Sequence, residues 1–184
     1  MNFELKVKEV NFDGFILIGK VFDKKIFDNL IEKIKKNKDD KLSYKTHVKG
    51  HFTGFASFIE DENFYNFLKL IQPYIKVIYP DNFIIQDAWG NICKCNEEVT
   101  EHNHASTSGF CGILYLTDNG PGTYFKQYDL LIKEEIGKFV LFHPMLFHKV
   151  DKVKNNEERI TLAFNMNKIK EWDDVSQVTW VNKK

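Results

Sequence analysis

Arginine is almost missing from this chain: Arg159 is the one guanidinium among 26 basic residues, and every other is lysine. Net charge is missing too. The 26 acidic residues cancel the basic ones, which argues against a nucleic-acid binder working through bulk positive charge and leaves only a local lysine patch open. No apolar run reaches the roughly 18 residues of a membrane span. The opening MNFELKVKEVNFDG alternates polar and apolar residues, so no secretory signal is expected either. Cysteine is scarce and odd in number. Cys93, Cys95 and Cys111 lack the spacing of a disulfide framework, which fits a reducing compartment and predicts a cytoplasmic location. The Cys93-Lys94-Cys95 pair has no second pair to complete a metal site, and buried strand cysteines are the simpler account.

What the chain does have is apolar mass. A hydrophobic fraction of 43% with 17 phenylalanines in 184 residues is enough for one packed domain. No repeat, linker or boundary divides it, so residues 1–184 are expected to form a single domain. Phe3, Leu5 and Val7 alternate with polar neighbours, and Phe15-Ile16-Leu17-Ile18 is a short apolar run, so the first twenty residues read as strand. From Asp23, a plausible N-cap, Ile26, Phe27, Leu30, Ile31 and Ile34 fall at helical spacing, and the lysines from Lys33 to Lys38 suit the negative helix end. A second helix is predicted from about Asp61 to Val77, with Pro73 as a kink or break. Beyond Pro80 the segments 83–95, 110–117, 123–132, 137–143, 146–151 and 159–167 read as strands separated by turn residues. Helices first and antiparallel strands afterwards predict an α+β, mainly β fold, a sandwich or partly open barrel buttressed by two N-terminal helices.

Two features of the second half carry chemistry. His102-Asn103-His104 would point both imidazoles the same way from an extended segment, because side chains alternate along a strand. Arg159 stands eleven residues after His148 and offers a planar fork that grips a carboxylate or phosphate by two parallel hydrogen bonds. Together they suggest a metal held by His102, His104 and His148 with an anionic co-substrate held at its far end by Arg159. Ligands on one face of an ion with open positions beside them favour Fe(II) and O₂ chemistry. His47 and His51 are four apart, but Gly50 and Gly54 argue against a helix. These two are read as loop residues outside the metal set, in a segment able to cover a substrate entrance.

Between residues 83 and 167 the chain resembles the Fe(II)/2-oxoglutarate-dependent dioxygenases. The elements are Trp89-Gly90-Asn91, His102-Asn103-His104, Gly112-Ile113-Leu114-Tyr115, Gly137 through Phe142-His143-Pro144, His148-Lys149-Val150 and Arg159-Ile160-Thr161-Leu162-Ala163-Phe164-Asn165. Each is weak alone, and their order and spacing make them specific. The resemblance implies a double-stranded β-helix (jelly-roll, cupin-like) core over 83–167, with 1–80 as helical support and edge strands. It implies His148 as the distal iron ligand, Arg159 with Thr161 on the C5 carboxylate of 2-oxoglutarate, and a Tyr115 hydroxyl on the same carboxylate. Asn91 would contact the co-substrate or bond the backbone. The near pair departs from the commoner His-x-Asp or His-x-Glu. Either all three histidines bind, or Glu98 or Glu101 supplies an oxygen, or one position is filled by water or an anion. His143 is read as a turn residue or a neighbour of the site, not a ligand.

The reading that follows is an Fe(II)/2-oxoglutarate-dependent hydroxylase taking 2-oxoglutarate, O₂ and a substrate that the sequence does not name. Loops 38–60, 96–109 and 118–123 would shape the substrate pocket. Two other readings stay open: a three-histidine cupin-like dioxygenase that needs no 2-oxoglutarate, and a non-catalytic jelly-roll binding or assembly module.

Overall fold

A computed structural model describes residues 14–37, 46–78 and 83–169; the strand expected around Phe3–Val7 lies outside them. Strand β1 (Ile16–Lys20) is followed by helix α1 (Lys24–Lys36), a two-residue β2 (His51–Phe52) and helix α2 (Glu62–Ile78). Then come β3 (Phe83–Cys93), β4 (Val99–His102), β5 (Phe110–Tyr115), β6 (Thr123–Phe125), β7 (Leu130–Ile132), β8 (Lys138–Phe142), β9 (His148–Val150) and β10 (Arg159–Lys168). The strands form a six-stranded sheet ordered β1-β8-β5-β10-β3-β2 and a four-stranded sheet ordered β4-β9-β6-β7. Among the described residues every strand pairing is antiparallel. Among the described residues no helix is long and apolar enough to cross a membrane.

The larger sheet is covered on both sides, and the period of two in β10 sorts its residues between them. Ile160, Leu162, Phe164 and Met166 join Leu30 and Ile34 of α1 and Phe64, Phe67, Leu68 and Ile71 of α2 in one apolar core. The alternate residues Arg159, Thr161, Ala163 and Asn165 face the smaller sheet and line a cavity between the two. Both helices start at aspartate caps, Asp23 accepting from the Ile26 amide at 3.0 Å and Asp61 from the Phe64 amide at 2.9 Å. A Lys33–Asp61 ion pair at 2.8 Å and an Asn29–Asn63 hydrogen bond at 3.0 Å, both partly buried, join the helices. Pro73 does not break α2: the helix continues to Ile78, with Ile71 and Ile75 still buried against the sheet.

Two stretches differ from the sequence expectation. Residues 123–132 are not one strand, since a 3-10 turn at Lys126–Tyr128 and Asp129 in the left-handed region (φ 47, ψ 42) divide them. Val99–His102, expected as loop, is strand β4, paired with β9 through Val99↔Val150 and His102↔His148. It is too short and too polar to announce itself by an apolar run.

Phe164 occupies the centre of an aromatic group, with ring centroids 5.4 Å from Phe64, 6.2 Å from Phe67 and 6.4 Å from Phe110. Its ring lies on Gly112 of β5, where no Cβ would fit. Phe164→Ala should therefore lower unfolding free energy by about 3–5 kcal/mol, read from the midpoint of a denaturant titration.

Candidate metal centre

Three imidazoles converge on the inner side of the smaller sheet. His102 ends β4 and His148 opens the adjacent β9, directly opposite in register. His104 lies two residues past β4, where its amide donates to the Pro144 carbonyl at 2.8 Å and ties that loop to the β8–β9 turn. The potential ligand atoms of the three lie within 4.8 Å of one another, and among the described residues they form the group able to hold a metal. His102 Nδ1 sits 2.8 Å from the Thr100 carbonyl and His148 Nδ1 3.1 Å from the Leu146 carbonyl. Those acceptors hold the proton on Nδ1 and leave Nε2 as the lone-pair donor, the arrangement a ligating histidine uses. Phe142 meets the His148 ring edge-on at 4.8 Å and Phe125 stacks on it at 5.7 Å. Rotamer freedom is small there.

Electrostatics keep these rings neutral. Burial lowers the His102 pKa to about 4, against a partial gain from its bond to Thr100. Burial and then the charge of His102 lower His104 to about 3, and burial puts His148 well below its ordinary value. Neutral imidazole is the form that binds a metal, so the set is deprotonated at neutral pH before any ion arrives.

Across the cavity the inner face of the larger sheet presents cross-strand rows. Thr161 is aligned with Asn91 and Tyr115, Ala163 with Trp89 and Ile113, and Asn165 with Asp87 and Cys111, while Arg159 stands beside Cys93. Arg159 lines the cavity yet is 1% exposed. Its Nε donates to Glu134 Oε1 at 2.5 Å. Burial disfavours the charged guanidinium, but the Glu134 carboxylate, with Cys93 and Tyr115, outweighs it and raises the pKa. The Tyr115 hydroxyl donates to Thr123 Oγ1 at 2.7 Å, and burial pushes its pKa up. Asn91 Nδ2 reaches Thr161 Oγ1 at 3.5 Å, while Asn91 Oδ1 is buried without a partner.

Arg159, Thr161 and Asn91 thus share the cavity with His102, His104 and His148; Tyr115 does not line it and stands behind Thr123 and Arg159, which do. Glu101 turns outward to Lys126 at 2.9 Å. His143 is a turn residue, its Nδ1 accepting from the Met145 amide at 3.2 Å. His47 is outside the triad but stacks on His102 at 4.5 Å, with 5° between the rings, and the adjacent Val48 lines the cavity. Sequence reasoning missed Glu134. Its signal was the alternation of Leu130, Ile132 and Glu134 with exposed Leu131, Lys133 and Glu135, which turns the carboxylate inward.

No protein-family model matches the chain, and no curated protein does. Solved structures do. A viral collagen prolyl hydroxylase from Paramecium Bursaria Chlorella virus-1, in complex with 2OG, aligns over 81% of this chain and 94% of its own at 17% identity and a TM-score of 0.62. HygX from Streptomyces hygroscopicus, with nickel, 2-oxoglutarate and hygromycin B bound, aligns over 83% of this chain and 82% of its own at 10% identity and a TM-score of 0.63. A Pseudomonas putida prolyl-4-hydroxylase aligns over 81% and 89% at 10% identity and a TM-score of 0.59. These likenesses establish the fold: the two sheets are a double-stranded β-helix.

The depressed histidine pKa values give stability a pH dependence of defined sign. The unfolded chain takes up protons below about 6.5, while the folded, metal-free site does not until about pH 4 at His102 and about 3 at His104. Stability is therefore fully present above pH 6.5 and falls as the pH is lowered through that window. Denaturation midpoints of the metal-free chain between pH 7 and 5 should show this loss, and His104→Asn should make it shallower. Equal slopes would mean that His104 is not held neutral by the fold.

Proposed function

We propose that this chain is an Fe(II)/2-oxoglutarate-dependent oxygenase that hydroxylates a C–H bond of a substrate. One observation carries the reading: three neutral imidazoles, two on the smaller sheet and one just past its strand β4, share one cavity with a buried guanidinium of the larger sheet. The residues present fit both groups. His102, His104 and His148 would hold Fe(II) through Nε2 atoms, leaving the rest of the ion's coordination open toward the larger sheet. With three neutral ligands the ion keeps its full double charge, which strengthens its hold on an anion.

Arg159 would bind the distal carboxylate of 2-oxoglutarate through its terminal Nη groups, the part of the fork that Glu134 leaves. Thr161 adds a hydroxyl one strand position along the same face. Turning the Asn91 amide over would present Nδ2 to the anion and let Oδ1 accept from Thr161, which satisfies the atom that otherwise lacks a partner. Tyr115 holds Thr123 in place on the cavity wall. When bound, Fe(II) and 2-oxoglutarate supply the oxidising chemistry that couples decarboxylation to C–H oxidation, and O₂ is the third reactant. The chain's own work is to orient these groups and keep water away from them. No side chain is needed as a general base.

The Glu134 pair favours one other reading. It neutralises Arg159, as suits a three-histidine dioxygenase that takes no 2-oxoglutarate. O₂ uptake by iron-loaded protein with and without 2-oxoglutarate separates the two: dependence on it supports the first reading and independence the second.

His148→Ala should abolish stoichiometric Fe(II) binding while the chain stays folded; a variant binding one Fe(II) with unchanged affinity would remove His148 from the centre. Arg159→Lys keeps the charge and the pairing with Glu134 but loses the fork. 2-Oxoglutarate should then bind about 1.5–3 kcal/mol more weakly, roughly tenfold to a hundredfold, with Fe(II) affinity hardly changed. Both constants come from titrations on one preparation, and equal 2-oxoglutarate affinity would make Arg159 a structural residue.

A further inference from the structure

The two ends of β10 differ in what surrounds them. Arg159 stands at the closed end beside buried Glu134 and Tyr115. Six residues on, roughly 20 Å away at the 3.3–3.4 Å rise of a strand, Asn165 marks the other end, where Asp87 is half-buried and Phe55 is 51% exposed. Asn165 is itself 4% exposed and lines the cavity. Its Nδ2 donates to Asp87 Oδ2 at 3.1 Å, and its Oδ1 has no partner. The amide is fixed in that sense, since turning it would set two acceptor oxygens against each other. No cationic side chain among the described residues pairs with the Asp87 carboxylate, whose hydrogen-bond partner is Asn165.

Aromatic rings complete the place. Trp89 lies two residues from Asp87 on the same face of β3, lines the cavity, and has its ring 6.1 Å from that of His104. Phe55 meets Trp89 edge-on at 5.3 Å and Phe52 at 4.9 Å. The strand register slips just beyond Asn165, so that Met166 pairs with Ile85 and Gln86 is the extra residue. Such bulges re-aim side chains beside functional sites.

We propose that this open end is the substrate-recognition subsite and that it takes an alkylammonium or guanidinium group; calling that ligand the substrate rests on the oxygenase reading above. The cavity here offers the unpartnered Asn165 carbonyl oxygen and the Trp89 ring, with the Asp87 carboxylate hydrogen-bonded to Asn165 and the Phe55 ring packed on Trp89 beside it. An N–H-bearing cation satisfies both oxygens by charge-assisted hydrogen bonds and is attracted to the rings. An anion would meet two acceptors, and an apolar group would leave both oxygens unpaired. Trp89 stands two residues from Asp87 on one strand face and has its ring 6.1 Å from that of His104, so one indole neighbours both the anchoring carboxylate and the metal-binding ring. The C–H bonds a few atoms from that nitrogen are the ones brought to the metal.

The test is a calorimetric titration of the full chain with N-acetyl-lysine methylamide and with its uncharged counterpart, N-acetyl-norleucine methylamide. The charged probe should bind about tenfold or more tightly, and Asp87→Asn should erase that preference. Phe55→Ala, at a position 51% exposed, should weaken the charged probe about two- to fivefold, and decides the matter should the Asp87 variant not fold. Equal binding of the two probes, or a preference that survives both substitutions, overturns the subsite. L-Lysine and putrescine titrated beside a lysine-centred pentapeptide separate a small amine from a peptide side chain, and failure of all three also overturns it. A parallel titration with 2-oxoglutarate keeps the two claims apart. A charge preference without 2-oxoglutarate binding retains the subsite and sinks the oxygenase reading, and the reverse sinks the subsite alone.

Discussion

Strand β10 is the constraint on which the molecule rests. It is hydrogen-bonded on both edges, to β3 and to β5, and buried on both faces. Each of its residues must therefore suit either the helices or the cavity. Over residues 159–166 one face is wholly apolar and pins α1 and α2, and the other is polar at three of its four positions. A slip of one residue would put a guanidinium into the phenylalanine core. The register is thus specified by the same residues that furnish the cavity, and the stability of the core and the geometry of the site are not separable properties.

The buried Arg159–Glu134 pair solves a problem that this arrangement creates. A lone guanidinium at 1% exposure would be strongly disfavoured by desolvation, and breaking a buried pair by removing one partner costs about 3–5 kcal/mol. Glu134 supplies the counter-charge from outside the cavity, so the charge is tolerated without the carboxylate filling the space in front of it. Lysine would satisfy the charge balance but not the two-sided geometry, which accounts for one arginine in a chain otherwise built with lysine.

Legibility in the sequence followed physical period. The inward parity of Arg159, Thr161 and Asn165, and the convergence of His102 with His104, can be read because alternation along a strand is a strict rule. The helices can be read from their apolar stripes and aspartate caps. Strand β4 cannot, since its pairing is short and its composition polar. Glu134 stands in a lysine- and glutamate-rich stretch whose composition is that of a solvated segment, and only its alternation with exposed neighbours points inward. The stacking of His47 on His102 and the edge-on contact of Phe55 with Trp89 depend on loop paths that no periodicity encodes.

The ownership of the site has a mechanical consequence. All three histidines belong to the smaller sheet and its flanking turns, whereas Arg159, Thr161 and Asn91 belong to the larger one. Apart from the core between them, the sheets are tied at the closed end by the Arg159–Glu134 strut, with Glu134 in the segment that leaves β7, and by the Tyr115–Thr123 hydrogen bond. A ligand reaching from the imidazoles to the guanidinium would be a further tie, nearer the open end, and would brace the two sheets across the cavity. Occupancy of the cavity and rigidity of the mouth become the same variable.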